Sequence, residues 1–343
     1  MKNILLAGIE CCSMLLSACN LNNSNTDLNG LITGNGYRIA LNPRDYKGEI
    51  DRFEENIKKI IHDIDSKLFD GGEYSEIAGF NRSRTTEWVS VSPEIVMLVN
   101  LGKQVYERSE GCFDLSARPI IELWDGASRE ERTPRQEEVD RVLAHVGMSQ
   151  VEIDPENHRI RKQDPEIQID LSPLATGYKI SSIASFLERE GIQNYWIKLD
   201  NEIKVKGHKA DGKAWRVAID AMKPTKPFTL DEVTLLKKRE LEGVSLVATG
   251  DYHPFSRVGA QSDILVFNPK TGRPVSNYLR HVAVLDEDPV WAAAWNSTLL
   301  CLGEKEAAKV AQVEQLGALL IYEERFDFDQ YRSKAFLTAI KRL

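Results

Sequence analysis

The sequence predicts a mixed α/β or α+β fold, with mixed sheets and packed helices in one large unit. Three observations predict it. Apolar residues recur at helical spacing through Ile50, Phe53, Ile57, Ile60, Ile61, Ile64 and Leu68. In mid-chain the pattern changes to short strand-like runs between turn residues, at Val151 to Asp154, His158 to Lys162 and Glu166 to Asp170. Helical and strand patterns then interleave toward the C-terminus, as they do when helices cover a sheet. The chain has 343 residues, 42% hydrophobic and 28% charged, which is enough to bury a substantial core.

The elements follow in order. Leu31 to Asn42 reads as a strand entry around the glycine-bearing turn Thr33 to Tyr37. The amphipathic stretch from Ile50 is a helix stopped at Gly71-Gly72. Ser92-Pro93-Glu94 opens another, with Ser92 at the N-cap and Pro93 in the first turn; Ile95, Leu98, Val99, Gly102 and Val105 form its apolar face. Thr133-Pro134 opens a third, running toward Val146. Leu174 to Glu190 is helical, with Ile180, Ile183, Ala184 and Leu187 on one side. Tyr195 to Leu199, Ile203 to Lys206 and Trp215 to Ile219 are strands of one sheet, and Met222 to Glu242 is a polar, proline-bearing surface insertion. Further strands are expected at Val244 to Ala248, Ile264 to Phe267, His281 to Leu285 and Leu319 to Tyr322. Two more helices are expected, at Trp291 to Leu302 and Glu304 to Val313.

Charge removes some functions. The net charge is −8, and the only notable basic run is Lys237-Lys238-Arg239, so nucleic acid is not an expected partner. The six histidines form no H-x-x-H pair, which argues against a histidine-based metal site.

The first residues speak to location. Lys2 precedes a mostly apolar run from Ile4 to Leu16, too short for a permanent membrane span, and the run ends in Leu16-Ser17-Ala18-Cys19. That ending resembles the lipobox of bacterial lipoproteins, in which the cysteine is lipidated. Glu10 inside the run is a departure, because a charge there is costly in a bilayer. The expectation is a signal peptide over 1–19, a polar tether over 20–30 and a folded domain over 31–343. The protein would then be exported and lipid-anchored to a bacterial membrane through Cys19, facing the periplasm. Cys112 and Cys301 remain in the body; both sit among apolar residues, so two buried thiols are expected, with a disulfide as the alternative.

Five strings join predicted strand ends to turns rich in Gly, Asp, Asn and Pro. They are Ser75-Glu76 with Phe80-Asn81; Ser109 to Asp114; Ile169 to Tyr178; Ala248-Thr249-Gly250-Asp251-Tyr252; and Asn268 to Val275. Singly, each could be a structural Asx or glycine turn. Their order and content together resemble the ApbE family of FAD:protein FMN transferases, from about Thr33 to Leu302. The Ser-Glu…Asn element matches Ser75, Glu76 and Asn81, and the Gly-Ala-Phe-Asp element matches Gly111 to Asp114, with Trp124 beyond. The Asp-Leu-Gly-Gly-Ile-Ala-Lys-Gly-Tyr string matches Asp170 to Tyr178, and Ser-Gly-Asp-Tyr matches Gly250 to Tyr252. The His-Ile-Ile-Asp-Pro-x-Thr-Gly string matches Leu265 to Gly272, and the last helix start, Ala-Asp-Ala-x-Ala-Thr-Ala-Leu, matches Ala292 to Leu299.

The resemblance implies phosphoryl transfer. The FAD pyrophosphate is split, FMN passes through its phosphate to a Thr or Ser of a periplasmic or membrane redox protein, and AMP leaves, with Mg²⁺ balancing the charge. It implies catalytic roles for Asp251 and Thr176. Cofactor contacts would come from Glu76, Asn81, Phe113, Asp114, Asp170, Gly177, Tyr178, Gly250, Thr271 and Gly272. Metal contacts would come from the carbonyl of Ala175 and from Ser297.

The departures fall on the chemistry. The family lysine is Thr176 here, and the Gly-Gly after the next strand is Asp200-Asn201. The histidine and aspartate of the fourth string are Leu265 and Asn268, and the metal-ligand aspartate and threonine are Ala293 and Ser297. Asp251 and Asp263 are the carboxylates that could compensate. A weakened Mg²⁺ site is therefore expected. The alternatives to transfer are a member that binds FAD or FMN as a carrier or regulator, and a flavin-independent interaction protein.

Overall fold

The computed structural model describes residues 26–32, 35–45, 50–69, 75–215, 217, 243–250, 266–324 and 327–341. Its elements in chain order begin with β1 (Thr26–Ile32), β2 (Asn35–Leu41), α1 (Ile50–Leu68), α2 (Glu76–Arg82), β3 (Val89–Ser90), α3 (Pro93–Arg108), α4 (Arg118–Arg129) and α5 (Gln136–Leu143). Then come β4 (Val151–Asp154), β5 (Arg159–Lys162), α6 (Ser172–Arg189), β6 (Tyr195–Leu199), β7 (Glu202–Lys206), β8 (Val244–Gly250), β9 (Phe267–Asn268) and β10 (Arg273–Pro274). The chain continues through β11 (Leu279–Asp286), α7 (Pro289–Val313), β12 (Gly317–Glu324), β13 (Asp327–Arg332) and α8 (Lys334–Lys341). This is the expected α+β architecture.

An eight-stranded antiparallel sheet runs in the order β1-β2-β6-β7-β8-β11-β12-β13. The interior strand β11 is covered on both faces, so it reads as a nearly continuous apolar run. Val282 and Val284 point to one side and pack in a core with Trp295 and Leu299 of α7. Ala283 and Leu285 point to the other and pack with Phe336 and Ile340 of α8. Beside the first core, Phe53, Ile57 and Ile61 of α1 and Ile180, Ile183 and Leu187 of α6 cover Ile39, Leu41, Tyr195 and Ile197. The predicted apolar faces of α1 and α6 are thus the buried ones. Helices α2 and α3 and a three-stranded sheet, β3-β5-β4, also contribute to the first core.

Several local expectations are corrected. Thr26 to Gly30, expected in the tether, belong to β1, because an edge strand is held by backbone pairing to β2 whatever its polarity. Glu166 to Asp170 is not a strand. The two helices expected over 291–313 are, by contrast, present: they meet at Gly303, whose φ of 75° and ψ of 167° are not helical, and are numbered together as α7. Cys112 and Cys301 are not separate thiols but a disulfide with a Cα–Cα distance of 5.7 Å. Residues 1–25, 218–242 and 251–265 lie outside the described set, and with them Cys19, the whole of the expected insertion, Asp251, Tyr252, Asp263 and Leu265.

Candidate functional site

The site is assembled around the start of α6. Asn81 at the end of α2 donates from Nδ2 to the Ile169 carbonyl at 2.9 Å and accepts the Ile169 N–H at 2.7 Å. The buried Lys162 ammonium donates to the Ile167 carbonyl at 2.9 Å and to the Phe80 and Asn81 carbonyls at 3.4 Å. The strap over 167–169 is therefore held by side chains rather than by a neighbouring strand. Asp170 follows it directly. Its N–H donates to the Leu115 carbonyl at 2.7 Å, and its Oδ1 accepts the Ser172 N–H at 2.9 Å, which starts α6. Glu76 is committed elsewhere, accepting the Ser92 N–H at 2.5 Å.

Ala175, Thr176, Gly177 and Tyr178 lie in the first two turns of α6. The Thr176 hydroxyl reaches Asp200 Oδ2 at 3.5 Å, across the tight β6–β7 turn in which Asp200 has φ 48°. Gly177 has a packing reason. A Cβ there would stand 2.7 Å from the Pro289 carbonyl oxygen, so α6 and the start of α7 touch at this residue. Tyr178 is half-buried against the first core, and burial pushes its phenol above its ordinary pKa.

The loop after α3 brings Phe113 and Asp114. Gly111 has φ 85°, a left-handed conformation suited to glycine. Phe113 is buried in the core. Asp114 Oδ1 accepts the Ser116 N–H at 2.8 Å and the Ser116 hydroxyl at 2.6 Å. Burial pushes its carboxyl above the usual range, and the Ser116 hydrogen bonds oppose this.

The turn between β9 and β10 carries Thr271 and Gly272. The Asn268 carbonyl accepts both of their N–H groups, at 3.1 and 2.9 Å, and Asn268 Oδ1 accepts the Lys270 N–H at 2.9 Å. Asparagine at this position therefore still builds the turn. The Trp124 indole donates to the Gly272 carbonyl at 2.7 Å and packs on Phe267 with ring centroids 5.8 Å apart.

Helix α7 closes the arrangement. Asn296 donates to the Val247 and Val282 carbonyls at 3.1 and 3.0 Å and accepts the Thr249 hydroxyl at 2.5 Å, which ties α7 to β8 and β11. Gly250, the end of β8, pairs with His281. His281 is buried with neither ring nitrogen hydrogen-bonded, and burial pushes its pKa down to about 4. Glu202 on β7 has an Oε2 that is shielded from solvent and makes no hydrogen bond. Burial, with help from Asp200, pushes its carboxyl up to about 8. Sequence reasoning missed Lys162, Asn296, Glu202 and His281. The visible signal was a polar residue inside an otherwise apolar run, as with Asn296 in α7.

These segments are linked to one another. Asn81 meets Ile169, Asp170 meets Leu115, Gly111 lies against the Lys270 side chain, and Cys112 is bonded to Cys301, four residues beyond Ser297. Glu76, Asn81, Asp114 and Asp170 spend the bonds described here on protein groups. The metal positions are poorly furnished. Ala175 offers a carbonyl and Ser297 a hydroxyl, but position 293 is a methyl in the core, 3% exposed. Among the described residues no three His, Cys, Asp or Glu side chains are grouped so as to hold a metal ion. Mg²⁺ prefers carboxylate oxygens, and the described donors do not fit it.

The structure thus defines an α+β protein in which the start of α6 meets the Asp114 loop and the start of α7, while the β9–β10 turn packs on α4 and α5. A sequence profile of the ApbE family matches residues 33–320, and the chain belongs to that family. It is similar to the FAD:protein FMN transferase of Vibrio cholerae, with 26% identity over 325 residues, covering 94% of this chain and 95% of that protein. It is likewise similar to the FAD:protein FMN transferase of Haemophilus influenzae, 26% identical over 340 residues and covering 97% of each chain. The fold matches the apo form of the flavinyl transferase ApbE of Pseudomonas stutzeri with a TM-score of 0.81 at 24% identity, over 93% of this chain and 97% of that one.

Proposed function

We propose that this protein is an FAD:protein FMN transferase, exported and held at a membrane by lipid on Cys19. A hydroxyl oxygen of a Thr or Ser on a flavin-accepting redox protein attacks the FMN phosphorus of FAD. A phosphoester bond forms, the pyrophosphate P–O bond breaks, AMP leaves with its phosphate, and the hydroxyl proton passes to solvent or a base. The observation that carries the reading is the chain of links between the family's turn segments, Asn81 to Ile169, Asp170 to Leu115, Gly111 to Lys270 and Cys112 to Cys301. The positive end of the α6 dipole, beside the Asp170 turn, is the natural place for a phosphate. The half-buried Tyr178 supplies an aromatic ring on the same helix.

Mg²⁺ would neutralise pyrophosphate charge when bound, and Ala175 and Ser297 are the described positions nearest that role in the family pattern. Since position 293 gives it no carboxylate, the reading rests on FAD rather than on the ion. The test incubates the purified protein with FAD, Mg²⁺ and a Thr-bearing acceptor protein. AMP release matched by covalent flavin fluorescence on the acceptor is expected. FAD binding with no AMP would replace the reading with a second one.

That second reading is a carrier or regulator that binds FAD or FMN without transferring it. The Ala293 methyl and the loss of a cation at Thr176 favour it. Calorimetry with FAD separates the two: Mg²⁺-enhanced binding goes with transfer, and Mg²⁺-indifferent binding with carriage.

A further inference from the structure

We infer that the Cys112–Cys301 disulfide is a positioning element of the nucleotide site, so that FAD affinity and the redox state of this pair are coupled. The inference rests on the FAD reading above. Ala293, Ser297 and Cys301 succeed one another at four-residue steps on α7 and therefore share one helix face. The disulfide leaves that face and enters the Gly111–Asp114 loop.

The hydrogen bonds that shape the start of this loop run back to α3 and its end. Gly111 N–H donates to the Tyr106 carbonyl at 2.8 Å, Cys112 N–H to the Ser109 carbonyl at 3.2 Å and Phe113 N–H to the Ser109 hydroxyl at 3.1 Å. They give the loop its form. The covalent bond carries it across a sequence separation of 189 residues to α7.

A third segment meets the same point. Cys301 is buried beside Val275, and Cys112 and Val266 pack against that pair. Val275 donates its N–H to the Val266 carbonyl at 2.8 Å, closing the hairpin that presents Thr271 and Gly272. The sulfurs therefore stand where the Phe113–Asp114 loop, the Thr271–Gly272 turn and the Ser297 face of α7 come together. In the family string Gly-Ala-Phe-Asp, position 112 is an alanine, so the bond is a feature of this chain rather than of the pattern it matches.

Reduction by a dithiol exchanges the bond for two thiols and leaves the reagent as its own disulfide. If the bonded form holds FAD more tightly, linkage requires that FAD make the bond harder to reduce by the same factor. A tenfold difference in affinity corresponds to about 30 mV in the two-electron midpoint. A staple that stabilised free and FAD-bound protein equally would leave the midpoint where it was.

The experiment equilibrates the full chain in dithiothreitol buffers of graded potential, with and without saturating FAD, and counts free thiols by alkylation and mass. Calorimetry gives the FAD Kd of oxidised and reduced protein at a temperature where both are folded. Oxidised protein is expected to bind FAD at least tenfold more tightly, with a midpoint at least about 30 mV more negative in FAD. The double variant Cys112→Ala/Cys301→Ala should bind like the reduced protein. Equal Kd values and an unmoved midpoint would overturn the coupling while leaving the FAD reading intact. Two free thiols in protein purified from an oxidising compartment would also overturn it. No FAD binding by oxidised protein would remove the functional reading and this inference together.

Discussion

Asn81 and Ile169 are joined in both directions, the amide donating to the backbone carbonyl at 2.9 Å and accepting the backbone N–H at 2.7 Å. One side chain thereby takes the place of a neighbouring strand for the residue just before Asp170. Asn81→Ala strands both backbone groups and should cost about 2 kcal/mol. It should also release the start of α6. Urea midpoints measure the first effect, and a raised KM for FAD the second. An unchanged KM would separate the strap from the nucleotide.

Glu202 gives a pH signature. Its folded pKa of about 8 stands above the ordinary 4.5 of a free glutamate. The native state therefore keeps a proton that the unfolded chain has released, and stability falls as pH rises from 4.5 to about 8. Below that window the carboxyl costs nothing through ionisation; above it the full penalty applies. Glu202→Gln should flatten this limb and be the more stable form at alkaline pH. Denaturant curves for both proteins across the window check the sign.

His281 works in the opposite sense. Its pKa falls from 6.5 to about 4, so the unfolded chain takes up a proton in this range that the native state refuses. Stability is complete above pH 6.5 and declines as pH drops toward 4. His281→Leu should lessen the acid-side loss. Thermal unfolding at about pH 5 should show a higher Tm for the variant, the gap closing near neutrality.

Ala293→Asp tests the metal position. A carboxylate in this core position should destabilise the protein by about 2 kcal/mol without a partner. Millimolar Mg²⁺ should restore part of that loss if the residue faces Ser297 and Ala175 as the family pattern implies. Adding Thr176→Lys should raise Mg²⁺-dependent FAD affinity further. A Tm indifferent to Mg²⁺ would show that the helix face at 293 does not look on a nucleotide.

Gly177→Ala probes the contact between α6 and α7. The new methyl would sit 2.7 Å from the Pro289 carbonyl oxygen, and backbone cannot swing aside as a flexible side chain can. A loss of about 1–3 kcal/mol is expected from urea denaturation, despite the better helix propensity of alanine.

Where a segment's own pattern decided its fate, the sequence was readable. Helices α1, α3 and α6 announce their buried faces by spacing, and β6 and β7 read as the strands they are. Helices α2 and α4 were missed, being short and each carrying a glycine. The strap ending at Asp170 has a strand-like composition, yet Asn81, eighty-eight residues from Ile169, takes the groups a strand would use. The turn-forming site residues were legible because Asp170, Asp114 and Asn268 bond to neighbours two residues away. Asn296 was not, because its partners arrive from distant sequence, and Lys162 was not, because two of its three acceptors, the Phe80 and Asn81 carbonyls, do so too. The disulfide stood only as the alternative to two thiols for the same reason, its two halves looking like ordinary core cysteines until the chain brings them together.

Strand β1 has a consequence for reach. It begins at Thr26, seven residues after Cys19. A fully stretched chain spans at most about 3.5 Å per residue, so this leash is no longer than about 25 Å. With an acyl chain on Cys19, the catalytic body would ride against the headgroups rather than roam above them. Its clients would then be proteins whose acceptor loops stand just clear of the bilayer, and lengthening the leash with a Gly-Ser insert after Cys19 should widen that clientele.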